Sequence, residues 1–219
     1  MIIIKFIAVV LIGYLLGSIP FGHLIGRRSV NVDITKIGSG KTGATNVLRT
    51  VGKKAALAVV IADVGKGALA VALAWLIFRG ENMALGGSGL FSVIATAQIL
   101  GALAAIIGHS WSVFLKFQGG RGVATFFGGL LVLYYPAALF GGLLLVLGAG
   151  LTKYMSLGSI AGAVGTFAIL VPLTIIYRIP FEYLIYSLMG ALFIIVMHRG
   201  NISRLISGRE RKIGEKAET

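Results

Sequence analysis

The chain has 219 residues, 57% of them hydrophobic and 12% charged, with a mean hydropathy of +0.95. A soluble domain sits nearer about 45–50% apolar and about 25% charged, so a water-soluble fold is excluded and a membrane-spanning bundle indicated. Cysteine is absent, which removes disulfides, thiolate metal sites and a cysteine nucleophile.

Apolar runs follow one another along the chain. Residues 2–26 form the first, with Lys5 near its start and His23 near its end. Its retention as a span is expected, because a signal peptide would need a more basic start than Lys5 and a shorter apolar run. Residues 55–78 form the second, interrupted by Asp63 and Lys66, and residues 90–108 the third. The stretch 122–152 is longer than the about 20 residues one crossing needs, and Tyr134-Tyr135-Pro136 sits at its middle. Aromatic residues beside a proline suit an interfacial turn, so two short spans are expected, over 121–134 and 137–152. Residues 157–176 and 181–197 complete an all-α integral membrane protein of seven transmembrane helices.

Orientation follows from lysine and arginine. Residues 27–54 carry Arg27, Arg28, Lys36, Lys41, Arg49, Lys53 and Lys54; the tail carries Arg199, Arg204, Arg209, Arg211, Lys212 and Lys216. Segments on the opposite side keep only Lys5, Arg79 and Arg178. The positive-inside rule then puts the N-terminus outside and the C-terminus in the cytoplasm. Residues 1–219 read as a single membrane domain ending in a short basic tail, 199–219. Topology accounts for most of the net charge of +13, so no nucleic-acid partner is called for.

Against these apolar spans, four polar stretches fall on the cytoplasmic side: GSGKTGATNVLR (38–49), GHSWSVFLKFQGGRGVAT (108–125), TKYMS (152–156) and HRGNISRLISGRE (198–210). The first imitates the end of an ATP-binding loop, but that motif needs glycine five residues before Gly40, where Thr35 stands. Gly38, Gly40 and Gly43 permit close backbone approach, and successive N–H groups in such turns make an anion nest. Lys41, Thr45, Asn46 and the forked donor Arg49 add phosphate-suited groups. Gly119, Gly120, Arg121 and Gly122 repeat the theme where a helix begins. One composite anion site at the cytoplasmic surface is expected.

Asp63 and Lys66 lie three apart inside a span, where ionisable groups are expensive. A mutual ion pair is the leading reading, with Lys66 in an anion site as the alternative. Of the histidines, His23 suits an interface, His109 a helix end, and His198 a site beside Asn201. No metal or cofactor is indicated, since the histidines lack carboxylate company.

The ordered set GSIPFGHLIGR (17–27), GSGKTGATNVLRTVGKKA (38–55), DVGKGALAV (63–71), GHSWSVFLKFQGGRGVAT (108–125), KYMSLGSI (153–160) and HRGNISRLISGRE (198–210) resembles the bacterial acyl-phosphate:glycerol-3-phosphate acyltransferase family. The resemblance runs along nearly the whole chain. It implies seven helices and a multi-pass enzyme of the bacterial inner membrane with its site facing the cytoplasm. The reaction it implies moves an acyl group from acyl phosphate to sn-glycerol 3-phosphate, giving lysophosphatidic acid and phosphate, the first step of phospholipid synthesis. It also makes the soluble enzyme that supplies acyl phosphate a candidate partner.

By motif, Ser39 and Arg49 fall on the family's functional serine and arginine. Gly119–Gly122 fall on the loop associated with glycerol 3-phosphate, and His198, Asn201 and Glu210 on its third motif; Ser156 and Ser159 are weaker candidates. Lys41 stands where the family has asparagine, and Gln118 and Arg121 where it has lysine, so Lys41 is expected to compensate for Gln118 if the loops meet. The fifth residue after His23, His109 and His198 is Arg28, Phe114 and Ser203, so a histidine–aspartate acyltransferase mechanism is excluded. Direct transfer is expected, with Ser39 and Asn201 on the donor phosphate, Arg49 and the Arg121 loop on glycerol 3-phosphate, and His198 as a candidate base. A transporter of a phosphorylated metabolite is the competing class; polar groups gathered on one face, without two similar halves, argue against it.

Overall fold

The structure is a computed structural model that describes residues 1–31, 33–81, 84–85 and 91–215. Leu90, at the start of the third expected span, and Lys216, in the basic tail, lie outside the described residues.

Helix α1 (Ile2–Ser18) ends where Ile19-Pro20 breaks the chain, and α2 (Phe21–Val30) follows at once. A short α3 (Ala44–Thr50) precedes α4 (Lys53–Phe78). A two-residue ladder pairs β1 (Ala84–Leu85) antiparallel with β2 (Phe91–Ser92) and leads into α5 (Val93–Ser110). Then come α6 (Val123–Thr152), α7 (Met155–Tyr177), α8 (Phe181–Met197) and α9 (Arg199–Ile206). Residues 2–30, α4, α5, α6 and α7 are each long and apolar enough to cross a membrane, and α8 with α9, bent by 59°, makes a sixth candidate.

Within α6 the helix is broken where proline demanded it. Pro136 has no N–H for the carbonyl of Val132 and its ring crowds that carbonyl, and Tyr134 leaves helical geometry at φ −158, ψ 89. The chain doubles back there: Phe127, near one end, lies 3.1 Å from where a Gly141 side chain would start. An unbroken helix would separate those residues by about 21 Å, at 1.5 Å rise each.

The bundle turns a soluble protein inside out. Large apolar side chains such as Ile3, Ile61, Leu151 and Ile175 face outward, as lipid contact requires. Small residues bring the helices close: added carbon at Gly13 or Gly17 would strike Gly101 or Ala105 of α5. The central core stacks Phe126 on Tyr186 at 5.4 Å, over Leu130, Leu170 and Ile194. The Tyr186 hydroxyl donates to the Phe126 carbonyl at 2.9 Å, which satisfies its one buried polar atom.

Asp63 and Lys66 form the expected pair, buried, 2.8 Å apart. Lys66 also donates to the Ile19 carbonyl at 3.1 Å, which accepts the Phe21 N–H as well. The pair thereby ties α4 to the α1–α2 break. The loops 33–52, 111–122 and 207–215 gather at one end of the bundle.

Candidate functional site

The first glycine loop is built by its own residues. Gly38 and Gly40 sit at φ +66 and +65, the left-handed turns glycine tolerates. Asn46, buried at the start of α3, donates to the carbonyls of Ile34 and Ile37 at 2.9 and 3.1 Å and accepts the Ser39 N–H at 3.1 Å. Its amide is thus committed to shaping the loop, while Ser39 and Lys41 are left at the cavity wall. Helix α3 carries Arg49, whose Nη2 donates to the carbonyl of Arg211 at 3.2 Å. Burial lowers the pKa of Lys41 from its usual value, and the neighbouring charges of Arg121 and Arg199 lower it further.

The second loop is held against α5. Gly120 donates to the His109 carbonyl at 3.0 Å, and a side chain at Gly120 would strike the His109 ring. His109 is buried, with Nδ1 3.5 Å from Asp63. Gly122, at φ +82, turns the chain into α6 and leaves Arg121 at the cavity wall. Burial lowers the Arg121 pKa, Glu210 opposes this, and Arg204 and Arg49 add to it. Lys41, Arg49, Arg121, Arg199 and Arg204 thus line one space, a concentration of positive charge suited to an anion.

The third motif closes the ring. His198, buried between α8 and α9, has Nδ1 2.7 Å from the Ile194 carbonyl. A carbonyl can only accept, so Nδ1 carries the hydrogen and a neutral ring keeps Nε2 as its basic nitrogen. Glu210 accepts from Ser156 Oγ at 2.9 Å and Asn201 Nδ2 at 2.5 Å on one oxygen, and from Arg204 Nε at 2.8 Å on the other. Burial pushes the Glu210 pKa up, but these hydrogen bonds and the Arg204 charge outweigh it and hold the carboxyl below its ordinary value. Ile213 donates to the Lys153 carbonyl at 2.8 Å, so the tail lies across the α6–α7 turn.

These elements enclose two cavities that share a wall. The first, about 560 Å³, is polar; Ser39, Lys41, Arg49, Arg121, Arg199, Asn201, Arg204, Glu210 and Arg211 line it with Gly38, Trp111, Met197 and Gly200. The second, about 490 Å³, is mainly apolar and runs between α4, the two limbs of α6 and the start of α7, past Leu57, Val60, Val64, Phe127, Leu131, Ala138, Leu145 and Val146. Ser39, Lys41, Arg49 and Arg121 line both. A space suited to a charged head and one suited to an apolar tail therefore adjoin at those four residues.

Most of the expected residues meet there. Gly43, Thr45, Asn46, His109, Gly122, Ser156, Ser159 and His198 line the apolar cavity. Gly40, Gly119 and Gly120 line neither and act by shaping their loops, and Lys66, engaged with Asp63 and Ile19, also lines neither. Ser159 donates to the Met155 carbonyl at 2.8 Å within α7. Arg204, Arg211 and Trp111 are added to the site by the structure. Arg204 sits one helical turn beyond Asn201, a spacing that could have been read from the sequence. Among the described residues no three His, Asp or Glu side chains gather as metal ligands.

A bundle of membrane-length helices, with a cationic basin adjoining an apolar groove at one end, defines the class as an integral membrane enzyme. The glycerol-3-phosphate acyltransferase family profile matches residues 7–208. "Glycerol-3-phosphate acyltransferase 3" of Dehalococcoides mccartyi strain CBDB1 is 56% identical over 217 residues, 99% of this chain and all of its own. The glycerol-3-phosphate acyltransferase of Gloeobacter violaceus is 43% identical, over 93% of each chain. The crystal structure of PlsY (YgiH), an integral membrane glycerol 3-phosphate acyltransferase, in its glycerol 3-phosphate form superposes with a TM-score of 0.81 at 33% identity, covering 95% of this chain and 96% of that one. Its lysophosphatidic acid form gives 0.77 over 95% of each chain. The chain belongs to the glycerol-3-phosphate acyltransferase family, and it is an acyltransferase.

Proposed function

We propose that the protein transfers a fatty acyl group from acyl phosphate to the 1-hydroxyl of sn-glycerol 3-phosphate, releasing lysophosphatidic acid and inorganic phosphate. The observation that carries this reading is the junction of a cationic basin with an apolar groove at Ser39, Lys41, Arg49 and Arg121. An acyl phosphate has its reactive carbonyl at the boundary between its charged head and apolar tail. The groove takes the tail, and the basin takes the head together with the second phosphate, that of glycerol 3-phosphate.

In this scheme the hydroxyl oxygen attacks the carbonyl carbon, and the bond from that carbon to the bridging phosphate oxygen breaks. Phosphate leaves with the electron pair, a good leaving group that needs little acid assistance. What the protein supplies is orientation and charge stabilisation, which lower the barrier of such a reaction most. Ser39 and Asn201 hold the donor phosphate, Arg49 and the Arg121 loop hold glycerol 3-phosphate, and His198 Nε2 takes the hydroxyl proton. Glu210 keeps Asn201 and Ser156 in place. Lys41, at the wall shared by both cavities, supplies the cation that this reading sets in place of Gln118, which is exposed and lines neither cavity.

The same reading has the chain work as one domain crossing the bacterial inner membrane seven times, since the break at Tyr134 divides α6 into two spans and α8–α9 supplies another. Positive charge puts the N-terminus outside and the site in the cytoplasm, where a soluble enzyme making acyl phosphate can deliver it. The test is incubation of purified protein in detergent with labelled glycerol 3-phosphate and either palmitoyl phosphate or palmitoyl-CoA. Lysophosphatidic acid formed only from the acyl phosphate is the expected result; product from the CoA ester alone would refute the donor.

A further inference from the structure

Adjacent glycines on the second limb of α6 are used differently. Gly141 is buried against Gly162 and Thr166 of α7, where any side chain would clash, so its identity is explained by packing. A side chain at Gly142 would meet nothing within 4 Å, yet glycine inside a helix is less stable than alanine by about 0.5–1 kcal/mol. Packing therefore gives no reason for glycine at 142. What distinguishes the position is the space it opens into, because Gly142 lines the apolar groove between Ala138 and Leu145.

We propose that Gly142 is a specificity-determining residue, holding open the part of the groove that receives the distal half of a long acyl chain. The proposal rests on the acyl-transfer reading above and deepens it by naming what sets chain length. Gly142 lies ten residues below Thr152, at the cytoplasm-side end of its limb, about 15 Å along the axis at 1.5 Å per residue. The junction that holds the reacting carbonyl is at that same end, beside Ser39 and Arg121. A chain laid from the junction along Phe127 and Val146 reaches Gly142 only if it is long. The absent side chain is what lets it pass to Leu131 and Ala138, further along the lining.

Because nothing crowds Gly142, a larger residue is accommodated without disturbing α6, and its side chain occupies the groove instead. The experiment compares kcat/KM for palmitoyl phosphate and octanoyl phosphate in wild type, Gly142→Ala and Gly142→Leu. Gly150, on the same limb with equally open surroundings and lining neither cavity, supplies the control Gly150→Leu. For Gly142→Leu the palmitoyl-to-octanoyl ratio is expected to fall about tenfold or more, the loss that follows when two buried methylenes are displaced. The fall should be smaller for alanine and absent in Gly150→Leu.

Wild-type turnover of both donors with an unchanged ratio in Gly142→Leu would overturn the proposal and leave the acyl-transfer reading intact. An equal fall in Gly150→Leu would overturn it too, by assigning the effect to the helix. If wild type uses palmitoyl-CoA and not the phosphate, the donor reading has failed, and the same ratio measured with CoA esters still decides the role of Gly142. If wild type turns over neither class, both proposals fall together.

Discussion

Replacing Glu210 by glutamine tests the support beneath the third motif while keeping the side chain's size. The carboxylate uses one oxygen for Ser156 and Asn201 and the other for Arg204. An amide has a single acceptor. With that oxygen kept toward Ser156 and Asn201, the new NH2 faces the Arg204 guanidinium. The lost ion pair is worth about 0.5–1 kcal/mol, because the Arg204 side chain is 45% exposed and water can replace its partner. The two remaining bonds change from charge-assisted to neutral, a loss of about 1 kcal/mol each. The sum, about 2–3 kcal/mol, corresponds to a fall of about 5–10 °C in the unfolding midpoint of a chain this size. Differential scanning fluorimetry in detergent reads it, with Glu215→Gln as control, because among the described residues Glu215 accepts an exposed local bond from Lys212. kcat/KM should fall as Asn201 loosens. A Glu210→Gln midpoint and kinetics equal to those of the control would refute the claim that Glu210 organises this side of the site.

Other expectations follow from the same geometry. Arg49→Lys keeps the charge but loses the fork that reaches both cavities, so kcat/KM should fall at least about tenfold for the loss of a charge-assisted bond; unchanged kinetics would remove Arg49 from the site. Lys66→Met leaves buried Asp63 with His109 as its one remaining partner among the described residues and should cost about 3 kcal/mol, whereas Lys66→Met with Asp63→Asn should recover much of the folded yield, as judged by size-exclusion profiles. Because the folded state holds the Glu210 pKa below its ordinary 4.5, that carboxylate's contribution to stability is present above about pH 4.5 and is lost as pH falls through the lower folded value. Unfolding midpoints measured from pH 6 downward should therefore drop less steeply in Glu210→Gln than in wild type.

How much of this was legible in the sequence depends on the range of the forces involved. The spans were, because lipid contact imposes length and composition locally: 181–197 coincides with α8, and Pro136 marked the break in α6. The first glycine loop was legible in part: Gly38 and Gly40 take the positive φ that glycine allows, whereas Gly43 is extended at φ −73. The Asp63–Lys66 pair was visible from its spacing. Contacts between distant segments left no such mark. Nothing near Arg49 indicates that carbonyls 162 residues away would receive it, and nothing around Glu210 indicates that it joins Ser156 to Asn201. Asn46 shows the converse, a residue type suited to ligands whose amide is used up in fixing the loop. The apolar groove was also hidden, because a groove-lining leucine and a lipid-facing one look alike in sequence.

The central claim is that one continuous space holds head and tail with the reacting carbonyl at the shared wall. The most direct measurement is a structure of the protein with a palmitoyl phosphonate, a stable analogue of the donor. The account predicts the phosphonate between Ser39 and Asn201, with the chain running past Phe127 to Gly142. A head group bound away from the shared wall, or a chain leaving into the bilayer with the groove empty, would contradict it.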